Sequence, residues 1–268
     1  MGERSFVGQQ YGDADGYDSY MGGWSAALAP LFVKFAAVGE PASVLDVGCG
    51  TGNLLAELAV ALPRAALTGV DPSTTLLDKA RQRPELARVT FLEGTVEGLP
   101  FESGTFDCTL SLLVLQEFSD RLLAIREMRR VTRPGGIVAA CQWDFSRMPV
   151  INALVEAISA INPAAGGQLS GNSRPVFAGE SELLEYWIEA GFKSASAGRI
   201  NVTRTFARFN DLWLPLLAGS TPSTLTLAAL PVQQRETVRQ RMQLQFHVAS
   251  PTAPLQVTAE ALVVRGRA

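Results

Sequence analysis

Histidine and cysteine are scarce in this chain. Histidine occurs once, as His247, and cysteine three times, as Cys49, Cys108 and Cys141. The four residues are far apart and lack the close spacing that metal ligands show, so the sequence predicts no metal site. The odd number of cysteines and their apolar surroundings argue against a disulfide framework and favour reduced thiols in the core.

The chain also has no large excess of charge of one sign and no long apolar run. The 23 basic and 26 acidic residues leave a net charge of −3, which gives no reason to expect a nucleic-acid partner. No apolar run approaches the length of a membrane span. Residues 1–20 are polar and rich in Gly, Asp and Tyr, unlike a signal peptide. We therefore expect a cytoplasmic protein without a membrane span, whose 47% hydrophobic content allows a full core.

A glycine-rich turn organises the chain. The apolar run 43–47 predicts a buried strand, and Gly48, Gly50 and Gly52 follow it before a helical pattern over 52–62. This layout brings backbone amides against a ligand. The next predicted strand, 66–70, ends in Asp71, an acid well placed to accept the hydroxyls of a ribose. Together they predict a nucleoside cofactor, although an N-cap role at the following helix is the alternative for Asp71.

Several motifs in order identify the kind of cofactor. A dinucleotide fingerprint needs a third glycine where this chain has Asn53. The run VLDVGCGTG, then GVDPS, GTVEGLPF, Phe106-Asp107 and RPGG instead resembles the class I S-adenosylmethionine (SAM)-dependent methyltransferases. Their order and spacing over residues 44–145 are similar to the methyltransferase type 11 group, which contains quinone-pathway methyltransferases.

The resemblance implies a fold and a domain plan. The expected fold is α/β, a Rossmann-like, seven-stranded, mostly parallel sheet with helices on both faces and a helical cap made by insertions. Residues 1–40 are expected to form an N-terminal segment and helix over the cofactor, 41–145 the SAM-binding core, and 146–268 the rest of the sheet. The insertions expected at the substrate side are 146–178 and 207–253, with a Gly- and Ser-rich loop or lid at 162–175.

The resemblance also assigns cofactor-binding roles. Asp46 is expected near the ammonium end of SAM, Asp71 and Pro72 at the ribose, and Thr95 and Val96 at the adenine. Gln116 could reach the cofactor carboxylate or face water. The remaining expected cofactor contacts are Tyr20, Gly48, Cys49, Gly50 and Leu112.

Methyl transfer from a sulfonium needs little catalytic machinery. The leaving group is already activated, so holding the acceptor in line at roughly 3–3.5 Å can supply most of the catalysis. A general base is optional, and His247 is the candidate, against the alternative of a structural or exposed histidine. The aromatic residues that could wall the pocket of an apolar or aromatic acceptor are Tyr11, Trp24, Trp143, Phe145 and Trp213.

Three functions remain open at this point. The first is methylation of a small acceptor molecule with SAM as cofactor. The second is a SAM-fold protein that binds a ligand or partner without methyl transfer. The third is an NAD(P)-dependent reductase, against which stand Asn53 and the lack of a Tyr-x-x-x-Lys pair. The sequence does not settle the oligomeric state, for which a homodimer is one possibility.

Overall fold

A seven-stranded sheet forms the centre of the molecule, in a computed structural model that describes residues 18–172, 177–219, 221–248, 250 and 252–268. The strand order is β3-β2-β1-β4-β5-β7-β6. The first five strands run parallel, and β7 is antiparallel to both of its neighbours. The strands are β1 Ser43–Val47, β2 Ala66–Asp71, β3 Thr90–Glu93, β4 Phe106–Leu112, β5 Thr132–Trp143, β6 Ala195–Phe206 and β7 Leu255–Arg267.

Helices cover both faces of this sheet, as expected from the sequence. A five-residue π-helical turn, Asp18–Gly22, leads directly into the first α-helix. Within the described residues the α-helices are α1 Gly23–Ala36, α2 Asn53–Ala61, α3 Thr74–Arg81, α4 Arg121–Val131, α5 Pro149–Ser159, α6 Pro163–Asn172, α7 Glu180–Glu189, α8 Phe209–Leu216, α9 Pro222–Ala229 and α10 Val232–Gln245.

Two hydrophobic cores result from this layering. Helices α1, α2 and α3 pack on one face, and α4 and α7 pack on the other. Strands β1, β4 and β5 are buried on both faces, which explains their nearly continuous runs of Val, Leu, Ala and Cys. The carboxyl ends of the parallel strands meet along one edge of the sheet, where α/β folds of this kind bind ligands.

The segments that connect β5 to β6 and β6 to β7 add five helices to the first core. Helices α5 and α6 come from the first predicted insertion, and α8, α9 and α10 come from the second. Helix α5 contacts α6, α9 and α10, so the two insertions form one helical group. That this helical group forms a substrate cap remains a prediction. None of the helices in the described part of the chain is both long and apolar enough to cross a membrane.

The predicted loop at 162–175 is wrong for its first part, because α6 occupies residues 163–172. One of the glycines that suggested a loop, Gly166, has a packing role. A Cβ on Gly166 would lie 2.5 Å from the Cα of Ser159 on α5, so only glycine lets the two helices approach this closely. Residues 173–175 of the predicted loop lie outside the described residues.

Three smaller differences have local causes. The RPGG turn lies inside the bounds of β5 as an irregularity, because the β4–β5 register shifts between Phe106 and Cys108. The sequence over 210–241 predicts one helical region, but the structure divides it into three helices, with breaks before Pro222 and at Pro231. The helical spacing of Leu183, Leu184, Trp187 and Ile188 predicts that all four lie on the buried face of α7, but Ile188 is 59% exposed.

Candidate active site

The glycine turn connects β1 to α2 at the ligand-binding edge of the sheet. Gly48 and Gly50 have φ values of +72° and +52°, which side-chain-bearing residues rarely adopt. The amides of Gly48 and Cys49 both donate to the Val70 carbonyl, at 2.8 and 3.1 Å, and so fix the turn to the end of β2. A Cβ on Gly48 would lie 2.6 Å from a methyl of Val114, whereas one on Gly50 would meet nothing within 4 Å.

Asp71 joins the end of β2 to this turn. Its carboxylate accepts hydrogen bonds from the Gly50 amide and from the Ser73 amide, each at 2.9 Å. Burial raises the pKa of Asp71, and the two amide hydrogen bonds oppose that rise. The N-cap of α3 is Ser73, whose hydroxyl accepts from the Leu76 amide at 3.3 Å, so the alternative cap role does not fall to Asp71.

A cleft opens beside Asp71 at the strand ends. The space between its walls, counted together with the part that is open to solvent, is about 820 Å³. Its walls come from the ends of β1 and β2 and from the segments after β3 and β4. Six residues predicted for the cofactor line it: Gly48, Gly50, Asp71, Pro72, Thr95 and Val96. The other residues that line it include Val47, Ser73, Leu113, Val114 and Phe118.

The other predicted cofactor residues do not line this cleft. Tyr20 and Leu112 are buried in the first core, and burial raises the pKa of the Tyr20 hydroxyl. Cys49 directs its sulfur toward Gly69 of β2, where a Cβ would lie 2.8 Å away. Burial raises the pKa of its thiol well above the usual value, so this cysteine is an unreactive core residue.

Asp46 is a buried acid without a protein partner. It is 1% exposed, and neither carboxylate oxygen has a hydrogen-bond partner among the described residues. Burial, and to a smaller extent the charge of Asp71, raises the pKa of Asp46 well above its usual value. A carboxylate buried in this way is stable only when neutral or paired, so Asp46 is suited to a cationic ligand group.

A strained residue marks the end of β4. Leu113 lines the cleft with φ +64°, an outlier for a bulky side chain that costs about 1–3 kcal/mol. Two hydrogen bonds of 2.7 Å hold it: its amide donates to the Cys141 carbonyl, and its carbonyl accepts from the Gln116 side-chain amide. The side-chain oxygen of Gln116 is buried without a partner among the described residues, and Gln116 does not line the cleft, so its contact with the cofactor carboxylate stays a prediction.

Three of the predicted acceptor-pocket residues lie in the first core. Trp24 meets Trp143 edge-on at 6.1 Å between ring centroids, and the Trp143 indole N–H is buried without a partner among the described residues. Trp213 stacks on Phe209 at 6.3 Å. Phe145 is half-buried beside this core. None of the four lines the cleft, and Tyr11 lies outside the described residues.

His247, the candidate base, is exposed at the end of α10 and does not line the cleft. The fold and the cleft together define an α/β protein that binds a nucleoside cofactor at its strand ends.

Comparisons with known proteins agree with this class. Residues 44–136 match the model of a family described as a methyltransferase domain. Over 203 residues the chain is 30% identical to a demethylmenaquinone methyltransferase of Roseiflexus castenholzii, covering 68% of this chain and 83% of that protein. Over 146 residues it is 32% identical to an uncharacterized methyltransferase of Schizosaccharomyces pombe, covering 49% of this chain and 52% of that protein. The chain thus spans about half the length of the latter relative.

A solved structure supports the fold. Phosphoethanolamine N-methyltransferase 2 of Haemonchus contortus, determined with phosphomonomethylethanolamine and S-adenosylhomocysteine, matches with a TM-score of 0.59 at 19% identity. The match covers 97% of this chain and 58% of that one. The chain belongs to the class I SAM-dependent methyltransferases, whose methyl donor is SAM.

Proposed function

We propose that this protein transfers the methyl group of SAM to a small, apolar or aromatic acceptor molecule, mainly by holding the two reactants together. The single observation that carries the cofactor half of this proposal is the cleft in which Asp71 binds the amide of Gly50. When bound, SAM supplies a sulfonium-activated methyl group that a nucleophile displaces directly. The chain's own task is then to bind, orient and exclude water.

The residues around the cleft fit the parts of SAM. Asp71 can accept the ribose hydroxyls, and Val96 and Phe118 are apolar enough to enclose the adenine ring. The glycine turn permits the close approach of the amino-acid end. Asp46 supports this fit independently, because its buried carboxylate lacks a partner and the ammonium group of SAM would provide one.

The acceptor half rests on composition and position. Trp143 ends β5, a neighbour of β4, and contacts Trp24 of α1. These rings and Trp213 of the helical group belong to the first core and do not line the cleft, so they support the proposal only through the apolar character of their surroundings. An acceptor with an aromatic or apolar body suits such surroundings. The sequence similarity to a protein named demethylmenaquinone methyltransferase agrees with an aromatic acceptor but does not identify one.

Two experiments test the proposal in sequence. Isothermal titration should give one SAM site per chain and no binding of NADPH, because the dinucleotide fingerprint has a third glycine, which lets the helix pack closely on the strand, where this chain has Asn53. Labelled methyl transfer should then be measured with a panel containing a phenol, a hydroquinone and an aromatic amine. Binding of SAM with no transfer to any of them would favour the alternative of a non-catalytic SAM-fold protein. Binding of NADPH alone would refute the assignment of SAM as the cofactor.

A further inference from the structure

The back of the glycine turn is held by a short segment that follows α3. Arg83 donates through one guanidinium nitrogen to the Thr51 carbonyl at 2.9 Å and to the Asn53 side-chain oxygen at 3.0 Å. Leu86, which is 1% exposed, fills the space behind Gly52, where a Cβ would lie 2.5 Å from its methyl. The residues from 51 to 53 are therefore fixed from the side that does not line the cleft.

The contacts of Arg83 determine how the Asn53 side chain is oriented. Because a guanidinium only donates, the Asn53 atom facing it must be the oxygen, and the amide nitrogen faces the other way. That nitrogen points at the Gly22 carbonyl, 3.5 Å away. Gly22 ends the π-helical turn that contains the buried Tyr20. One side chain thus stands between the cofactor turn and the N-terminal helical segment.

The charge arrangement suggests a role beyond stability. The guanidinium of Arg83 contacts residues at the start of α2, where the helix dipole is positive and a cation is unfavourable. Its neighbour Glu85 accepts from Arg83 at 3.0 Å and offsets this, although Glu85 is exposed. A surface cation kept at a helix N-terminus favours an anionic group on the other side of the same turn. The anionic group that SAM would bring to this turn is its carboxylate.

We propose that Asn53 and Arg83 are positioning residues that set residues 51–53 for the amino-acid end of SAM and tie them to the Asp18–Gly22 turn. This inference rests on the proposed SAM site. It adds two residues that touch neither the cleft nor, in the proposed seat, the cofactor. Their effect is exerted through the backbone of the turn.

The test compares two ligands that differ in the amino-acid end. S-adenosylhomocysteine has it, and 5′-methylthioadenosine lacks it while keeping the adenosine. In titration calorimetry, Asn53→Ala and Arg83→Ala should each weaken the binding of S-adenosylhomocysteine about tenfold. This is the effect of losing one hydrogen bond to a charged group. Binding of 5′-methylthioadenosine should change less than about twofold. Arg83→Lys should recover part of the loss, because it keeps the charge and one donor.

Two controls separate positioning from general damage. Gln82→Ala changes the exposed neighbour of Arg83, and Asp78→Asn removes an exposed ion pair with Arg81; both should bind as wild type does. Equal weakening of both ligands in the Asn53 and Arg83 variants, or no weakening of either, would overturn the inference. Failure of the wild type to bind S-adenosylhomocysteine would instead refute the proposed cofactor site and this inference with it.

A further variant tests the link to the N-terminal turn and does not depend on Asn53→Ala folding. Asn53→Asp keeps an acceptor for Arg83 but removes the donor toward Gly22. We expect near wild-type affinity for S-adenosylhomocysteine together with faster hydrogen exchange in the Asp18–Gly22 amides of the bound protein. Unchanged exchange there would overturn the proposed link between the two segments.

Discussion

Replacing Asp46 by asparagine should have opposite effects on the free protein and on the cofactor complex. The carboxylate is 1% exposed, has no partner among the described residues, and has a pKa raised by burial and by Asp71. Asparagine has nearly the same shape and no charge. In the free protein the substitution should therefore raise the free energy of unfolding at a pH where Asp46 would ionise, because a neutral amide avoids the cost of burying an unpaired charge.

The complex should respond in the other direction. If Asp46 pairs with the ammonium of the cofactor, the variant loses a charge-assisted hydrogen bond of about 1.5–3 kcal/mol. That loss corresponds to roughly 10- to 150-fold weaker binding. The measurement is calorimetry with S-adenosylhomocysteine alongside chemical denaturation of the free protein. Asp78→Asn is the matched control, because Asp78 pairs with Arg81 on the surface and should matter to neither.

The sign of the pH dependence follows from the same shift. Because the pKa of Asp46 is higher in the folded than in the unfolded chain, the folded state binds more protons between the two values, and stability falls as pH rises through the folded pKa. A cofactor ammonium favours the ionised form, so binding should tighten as pH rises through that same pKa. The asparagine variant should lose both slopes. Wild-type affinity in the variant, or an unchanged pH slope, would refute the ammonium role.

Three further substitutions test other parts of the site. Asp71→Ala leaves the Gly50 and Ser73 amides without their acceptor, so we expect lower stability and about 1–3 kcal/mol weaker binding of both S-adenosylhomocysteine and 5′-methylthioadenosine in calorimetry; unchanged affinity would exclude the ribose role. Gly50→Val directs a side chain into the cleft from a left-handed backbone, so the variant should fold with about 1–2 kcal/mol less stability and bind no S-adenosylhomocysteine; normal binding would contradict the turn assignment. Trp143→Phe removes an unpartnered N–H, so denaturation should show a change within about 1 kcal/mol, against about 3–5 kcal/mol for Trp143→Ala; a large loss in the phenylalanine variant would mean that the N–H is bonded.

The core of the fold could be predicted because local and tertiary preferences agree there. The run from Ser43 to Val47 is apolar and stops at glycines, and it forms β1 with those bounds. The same agreement holds at β4, because the apolar run that begins at Phe106 predicts a strand over 106–112 and the observed strand has those bounds. In parallel sheets the central strands are buried on both faces, so their sequence pattern is strong and short-range.

Helix α6 could not be predicted because its residues favour a loop when considered alone. Its sequence contains three glycines, which are poor helix formers. The contact of Gly166 with Ser159 on α5 depends on the packing of two helices, and no local pattern reveals it. The prediction that Ile188 is buried failed for a related reason, since helical periodicity does not show how wide the buried face of the helix is.

The candidate site divides in a similar way. Gly50 and Asp71 were found from residue type and strand position, and both line the cleft. The strained backbone of Leu113 had no sequence signal, because a positive φ at a leucine is imposed by its surroundings. The isolation of Asp46 could not be anticipated either, since the absence of a partner is a property of everything packed around it.

A crystal structure of the full chain with S-adenosylhomocysteine tests the central claim most directly. The account predicts the ribose hydroxyls on Asp71, the adenine between Val96 and Phe118, and the ammonium group next to Asp46. A cleft filled by the protein's own side chains, or an adenosine lying away from Asp71 with the glycine turn vacant, would contradict it.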